Sequence, residues 1–109
     1  MSGSKVIAVC LAIFGLVHVL GMVWCISGGL DASRSDMAAF RAVTEPLKSR
    51  NEITEAGEKA LEQNVEKRSK VHATVMFSYA AVHGVTAAAL FAGAVLLWRS
   101  GRSRSVTNA

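Results

Sequence analysis

The chain has little of what usually builds a small water-soluble fold. One proline and two cysteines occur among 109 residues, which excludes a proline-rich linker and a disulfide scaffold. Charged residues make up 18%, against about 25% in an ordinary soluble domain. Two stretches contain no charge at all. Val6 to Leu30 is an uncharged run of 25 residues between Lys5 and Asp31. Val71 to Trp98 is a second one, of 28 residues, between Lys70 and Arg99. Phosphate-binding loops, nucleophile elbows and HExxH motifs are also missing.

What is present is apolar. Hydrophobic residues reach 51%, and the mean hydropathy is +0.35. So short a chain cannot bury that much apolar surface in a core of its own. It is also too hydrophobic for global disorder. Lipid is the solvent that fits. Each run exceeds the roughly 20 residues a helix needs to cross the hydrocarbon. Neither alternates with period two, and both are far longer than a barrel strand of roughly 10 residues.

The expectation is an all-α, two-span transmembrane helical hairpin with a helical polar loop. The boundaries are a tail over 1–5, a first span over 6–30, a polar loop over 31–70, a second span over 71–98 and a basic disordered tail over 99–109. The start MSGSK resembles the basic region of a signal peptide, with small residues at Ser27, Gly28 and Gly29. The apolar stretch is longer than the usual 7–15 residues or so, and it holds His18 and Trp24. A retained span is therefore expected.

The net charge of +4 sits entirely on the tails, at Lys5, Arg99, Arg102 and Arg104. The loop holds eight basic and eight acidic residues. Short, purely basic tails favour termini on the cytoplasmic or equivalent side of a bacterial inner membrane or an organelle membrane, although Lys67, Arg68 and Lys70 argue the other way. The basic residues are dispersed and carry no recognition motif, so no nucleic acid is expected as a partner.

Within the loop, Ser33, Ser35 and Asp36 resemble a helix start, Pro46 a break and Asn51 the cap of a further helix. No stop follows before the second span, so a helix from about Glu52 to Trp98, roughly 70 Å long, is expected to extend out of the membrane. Ile53, Leu61 and Val65 form a thin apolar stripe on it, a candidate docking surface for a partner. In the second span Ala80, Gly84, Ala88 and Ala92 recur every four residues, a small-residue ridge that lets helices approach closely in lipid. Gly15 and Gly21 are the matching small positions of the first span.

His18 and His83 lie near the middle of the two uncharged runs, at similar depth in an antiparallel pair. Three readings compete. Each imidazole is neutral and hydrogen-bonded within the bundle, to Tyr79, Ser78, Thr86 or a backbone carbonyl. Or the pair ligates haem b, with further helices needed to enclose it. Or one or both histidines line a proton or water path, weakened by the lack of a membrane carboxylate. The first is preferred, and it needs no cofactor. The three histidines lack zinc spacing, and no metal site is expected. Cys10 and Cys25 are about 22 Å apart along one helix and cannot bond each other.

These features point to a small non-catalytic subunit that packs in the bilayer and docks onto larger membrane subunits of a respiratory, photosynthetic or transport complex. The alternatives are a self-associating, holin-like or small-channel hairpin, and a hairpin that binds haem or relays protons through His18 and His83.

Overall fold

A computed structural model describes the backbone of residues 2–107 and the side chains of residues 2–103. All of the regular structure in that range is helical. Helix α1 spans Gly3–Ser49 and helix α2 spans Glu55–Thr107. Each contains a segment long and apolar enough to cross a membrane.

The two helices are longer than their uncharged runs. Residues 31–45 do not form a separate loop helix: Ser33, Ser35 and Asp36 lie inside α1. Gly28 and Gly29 do not break it either, because they serve packing. A Cβ on Gly28 would stand 2.6 Å from Met76 Cε, and one on Gly29 would stand 2.9 Å from the Phe77 ring. Glycine costs a helix interior about 1 kcal/mol relative to alanine, and here it makes room for a large side chain opposite.

Pro46 also lies within α1, in its last turn. Its missing N–H removes one bond near the end of the helix, where little helix remains to disrupt. The Pro46 carbonyl accepts from Ser49 Oγ at 2.9 Å and Arg50 Nε at 3.2 Å. The stop comes at Asn51, whose φ of 56° is left-handed. The Asn51 N–H donates to the Lys48 carbonyl and the Glu52 N–H to the Leu47 carbonyl, at 3.1 and 2.9 Å. This is the Schellman pattern that closes helix C-termini. Asn51 thus ends α1 rather than capping the next helix. That cap is Thr54, whose Oγ1 accepts from the Gly57 N–H at 3.1 Å. Glu55 and Glu58 then place negative charge in the first turn of α2.

Glu58 also reaches across the turn to Lys48 at 2.9 Å. The carboxylate accepts a hydrogen bond from the ammonium and supplies opposite charge, raising the Lys48 pKa above its ordinary value. A raised lysine contributes stability below its unfolded pKa and loses it as pH rises through the higher folded value. Lys48 is exposed and Glu58 half-buried, so solvent screens the pair and its contribution is small.

The chain divides into two compact units, Met1–Trp24 with Tyr79–Ala109, and Cys25–Ser78. In the first, α1 turns Ser4, Ala8, Leu11, Gly15, His18 and Met22 inward, while α2 turns in Ala80, His83, Ala87, Leu90, Ala94 and Leu97. The steps alternate three and four, a seven-residue repeat. In the second unit Cys25, Gly29, Ala32 and Asp36 continue the same steps along α1. The buried Thr44 and Ser69 hydroxyls donate to carbonyls of their own helices, Phe40 and Glu66, each at 3.0 Å.

Two features differ from the sequence pattern within this chain. Ala88 and Ala92 are exposed, so the small face buried in this chain follows Ala80, Ala87 and Ala94 rather than a four-residue ridge. The tail is also helical from Arg99 through Thr107, because no proline or cap interrupts α2 there.

The seven-residue seam makes a clear prediction. Ala87→Leu overpacks it and is expected to cost about 1–3 kcal/mol. Ala88→Leu changes an exposed position and is expected to stay within about 0.5 kcal/mol. Reversible unfolding of the purified chain in mild detergent measures both. Equal costs would rule out the seven-residue seam.

Candidate functional site

The first unit contains no Asp or Glu. Its polar feature away from the chain ends is an imidazole pair. His18 comes from α1 and His83 from α2, and their Nδ1 atoms are 2.9 Å apart. The ring centroids are 5.1 Å apart and the planes are tilted by 43°. Lys5 is 13 residues from His18 and Arg99 is 16 residues from His83, roughly 20 Å or more along either helix.

Glycine opposite each bulky side chain makes this approach possible. A Cβ on Gly21 would meet His83 Cε1 at 3.1 Å and both ring nitrogens at 3.2 Å. Next to it, a Cβ on Gly84 would meet Met22 Sδ at 3.0 Å. Two turns back along α1, a Cβ on Gly15 would fall 2.9 Å from the Phe91 ring. Large side chains of one helix thus lie over glycines of the other on both sides of the histidines.

The bond between two Nδ1 atoms restricts the protons. One ring donates Nδ1–H and the other accepts with a bare Nδ1. A neutral acceptor ring must therefore carry its proton on Nε2, so the two histidines are different tautomers. One additional proton leaves the contact intact, as an imidazolium donating to an imidazole. A second proton sets two donors against each other and breaks it.

The sequence reading anticipated hydroxyl partners for these rings. Instead Ser78 Oγ donates to the Thr74 carbonyl and Thr86 Oγ1 to the Val82 carbonyl, each at 2.8 Å. Tyr79 is exposed. With the protons of those hydroxyls turned to their own helices, each imidazole finds its Nδ1 partner in the other, and the contact engages one nitrogen of each ring. Two nitrogens trans on one metal ion lie about 4 Å apart, twice a metal–nitrogen bond of about 2 Å. At 2.9 Å the two Nδ1 atoms stand closer than that pair of positions.

Gly15, Gly21, Ala80 and Gly84 all lie on the seam; Ala88 and Ala92 do not. Met22, Phe91, Ala87 and Ala94 complete it, and the signal that finds them is recurrence every seven residues on both helices. The docking stripe separates. Leu61 is exposed, whereas Ile53 is half-buried near Gly57, and Val65 is half-buried in an open groove with Phe40. His72 Nδ1 faces the Asp36 carboxylate at 3.6 Å, an ion pair when the ring is protonated. Cys10 is exposed and Cys25 buried, both as free thiols. No group of three or more metal-ligating side chains occurs among the described residues. Comparison with family models, curated proteins and solved structures found no match.

The imidazole pair is tested by a double-mutant cycle. His18→Leu or His83→Leu alone strands the other ring and is expected to cost about 1–3 kcal/mol. The double variant is expected to cost less than the sum by about 0.5–3 kcal/mol. Unfolding in detergent measures all three, and additive costs would mean that the rings do not bond. Gly21→Ala, which crowds His83, is expected to remove the 15N–15N coupling across the hydrogen bond in a histidine-labelled sample.

Proposed function

We propose that this chain is a small, non-catalytic integral membrane subunit that packs against larger membrane subunits. The observation that carries the reading is the placement of bulk. Trp24, Leu30, Val85 and Leu20 are 77, 74, 72 and 69% exposed, while the buried apolar residues are five alanines and Cys25, with Ala32 at 1%. Within the most apolar windows of α1 and α2, only 11% and 17% is buried. The core helix of a soluble protein hides its apolar face; these helices turn theirs outward. A lipid environment or the flank of another membrane protein resolves that exposure.

Both apolar helices carry this pattern, and α2 is not at the N-terminus, so a cleavable leader does not account for it. Basic residues at Lys5, Arg99 and Arg102 with no acid nearby in sequence support termini on the cytoplasmic or equivalent side. A self-assembling channel is less well supported. Ser78 and Thr86 spend their hydroxyls on their own helix carbonyls, and His18 and His83 on each other, which leaves little to line a water path.

Mass spectrometry on the chain purified in mild detergent from carbonate-washed native membranes tests the reading. Stoichiometric co-purification with larger membrane subunits is expected. A homo-oligomer that makes liposomes leak would replace this reading with the channel. Recovery in the carbonate-soluble fraction would remove the membrane assignment itself.

A further inference from the structure

The contact between His18 and His83 uses the Nδ1 atom of each ring and leaves both Nε2 atoms over. Neither Nε2 has a hydrogen-bond partner among the described residues. Among those residues, no enclosed side-chain nitrogen or oxygen lacks a partner. Both Nε2 atoms therefore reach the surface of the first unit, consistent with two half-buried rings. They do so near the middle of Val6–Leu30 and of Val71–Trp98, far from any charge.

The tautomers fix what these two atoms offer. The ring that donates Nδ1–H has a bare Nε2, which is an acceptor. The ring that accepts at Nδ1 carries its proton on Nε2, which is a donor. A neutral pair thus presents one donor and one acceptor, never two of a kind. Hydrocarbon satisfies neither, and burying them there unpaired is costly. An ionised carboxylate brings acceptors alone, and an ammonium or guanidinium donors alone. A second copy of this chain brings one of each, at the same depth. Under a two-fold axis the donor of each pair meets the acceptor of the other, so the bonds close reciprocally. Both chains keep the same tautomers, and no charge enters the hydrocarbon. Gly21 leaves room for the approach, since even a Cβ there would stand 3.2 Å from His83 Nε2.

We propose that two copies of this chain pair in the bilayer through His18 and His83, each copy donating one Nε2–H to the bare Nε2 of the other and closing a ring of imidazoles. The assignment rests on the membrane reading above, because in water both atoms would bond to solvent.

The test uses the full chain, labelled with 15N at histidine, in mild detergent. Two kinds of 15N–15N coupling are expected, between Nδ1 atoms within a chain and between Nε2 atoms of two chains. Dilution into a large excess of unlabelled chain is expected to abolish the Nε2 coupling and keep the Nδ1 coupling. Absence of the Nε2 coupling before dilution would overturn the proposal, as would its survival afterwards. Sedimentation equilibrium in density-matched detergent is expected to show a dimer. His18→Leu with His83→Leu is expected to raise its dissociation constant by roughly tenfold, the loss of two hydrogen bonds between membrane helices. An unchanged constant would mean that the chains meet elsewhere and would sink the idea. Should that variant not fold, the isotope dilution still decides. Carbonate resistance after insertion into phosphatidylcholine vesicles separates two failures: a chain that inserts but stays monomeric loses only the imidazole ring, and one that never inserts loses the membrane reading as well.

Discussion

Two helices have no interior except the line along which they touch, and everything else in this molecule follows from how that line is filled. It is filled with small residues: Ala8, Ala32, Ala80, Ala87 and Ala94 are buried, and among the described residues no large side chain is fully buried. Burying a methyl-sized group contributes about 0.8 kcal/mol, whereas ordering the backbone costs about 1–2 kcal/mol per residue. In water this seam cannot offset the ordering of the chain. In hydrocarbon the balance changes, because each helix must already form to satisfy its own backbone. Only close packing between preformed helices is then required, and small residues permit it.

Close packing also explains why two histidines can share a seam built of alanine and glycine. Backbones that approach closely bring polar groups of opposite helices within reach, and Gly21 clears the space that His83 occupies. The pair then acts on register. A slip of one seven-residue repeat brings Leu90 to the position of His83 and leaves His18 facing a methyl-rich side chain. Both rings lose their partner, and Phe91 loses the glycine it rests on. Unpaired polar groups in an apolar setting cost about 1–3 kcal/mol each by mutational measures. Repetitive alanine alone does not specify register in this way, since one alanine replaces another under such a slip. Single polar positions that select register in helical seams are a known device.

The coarse plan was legible from where charge is absent: two long apolar helices, antiparallel, with a histidine near the middle of each uncharged run. Three features were hidden. Ser33, Asp36 and Pro46 are start and break signals for an isolated helix, but α1 continues through all three, because such signals are weak priors beside tertiary packing. The true stop at Asn51 depends on one residue adopting a left-handed φ, which many asparagines in loops also do. The four-residue ridge from Ala80 to Ala92 and the seven-residue repeat Ala80, Ala87, Ala94 coexist in one alanine-rich helix. Either pattern fits α2 alone. The choice becomes visible only when α1 is read beside it, where Ala8, Gly15, Met22 and Gly29 also step by sevens.

Position matters for the charges as well. Counted over the chain, +4 suggests a mildly basic protein. Sorted by position, it is a neutral polar region and a purely cationic pair of tails. In the neutral region positive charge meets negative charge within the chain: Lys48 with Glu58 across the turn, and Arg50 with Glu52. The other end has no carboxylate side chain with which to do so, and Lys5 turns instead to the face of Trp98. What supports the proposed cytoplasmic termini is thus position rather than total: every Asp and Glu is excluded from residues 1–24 and 79–109.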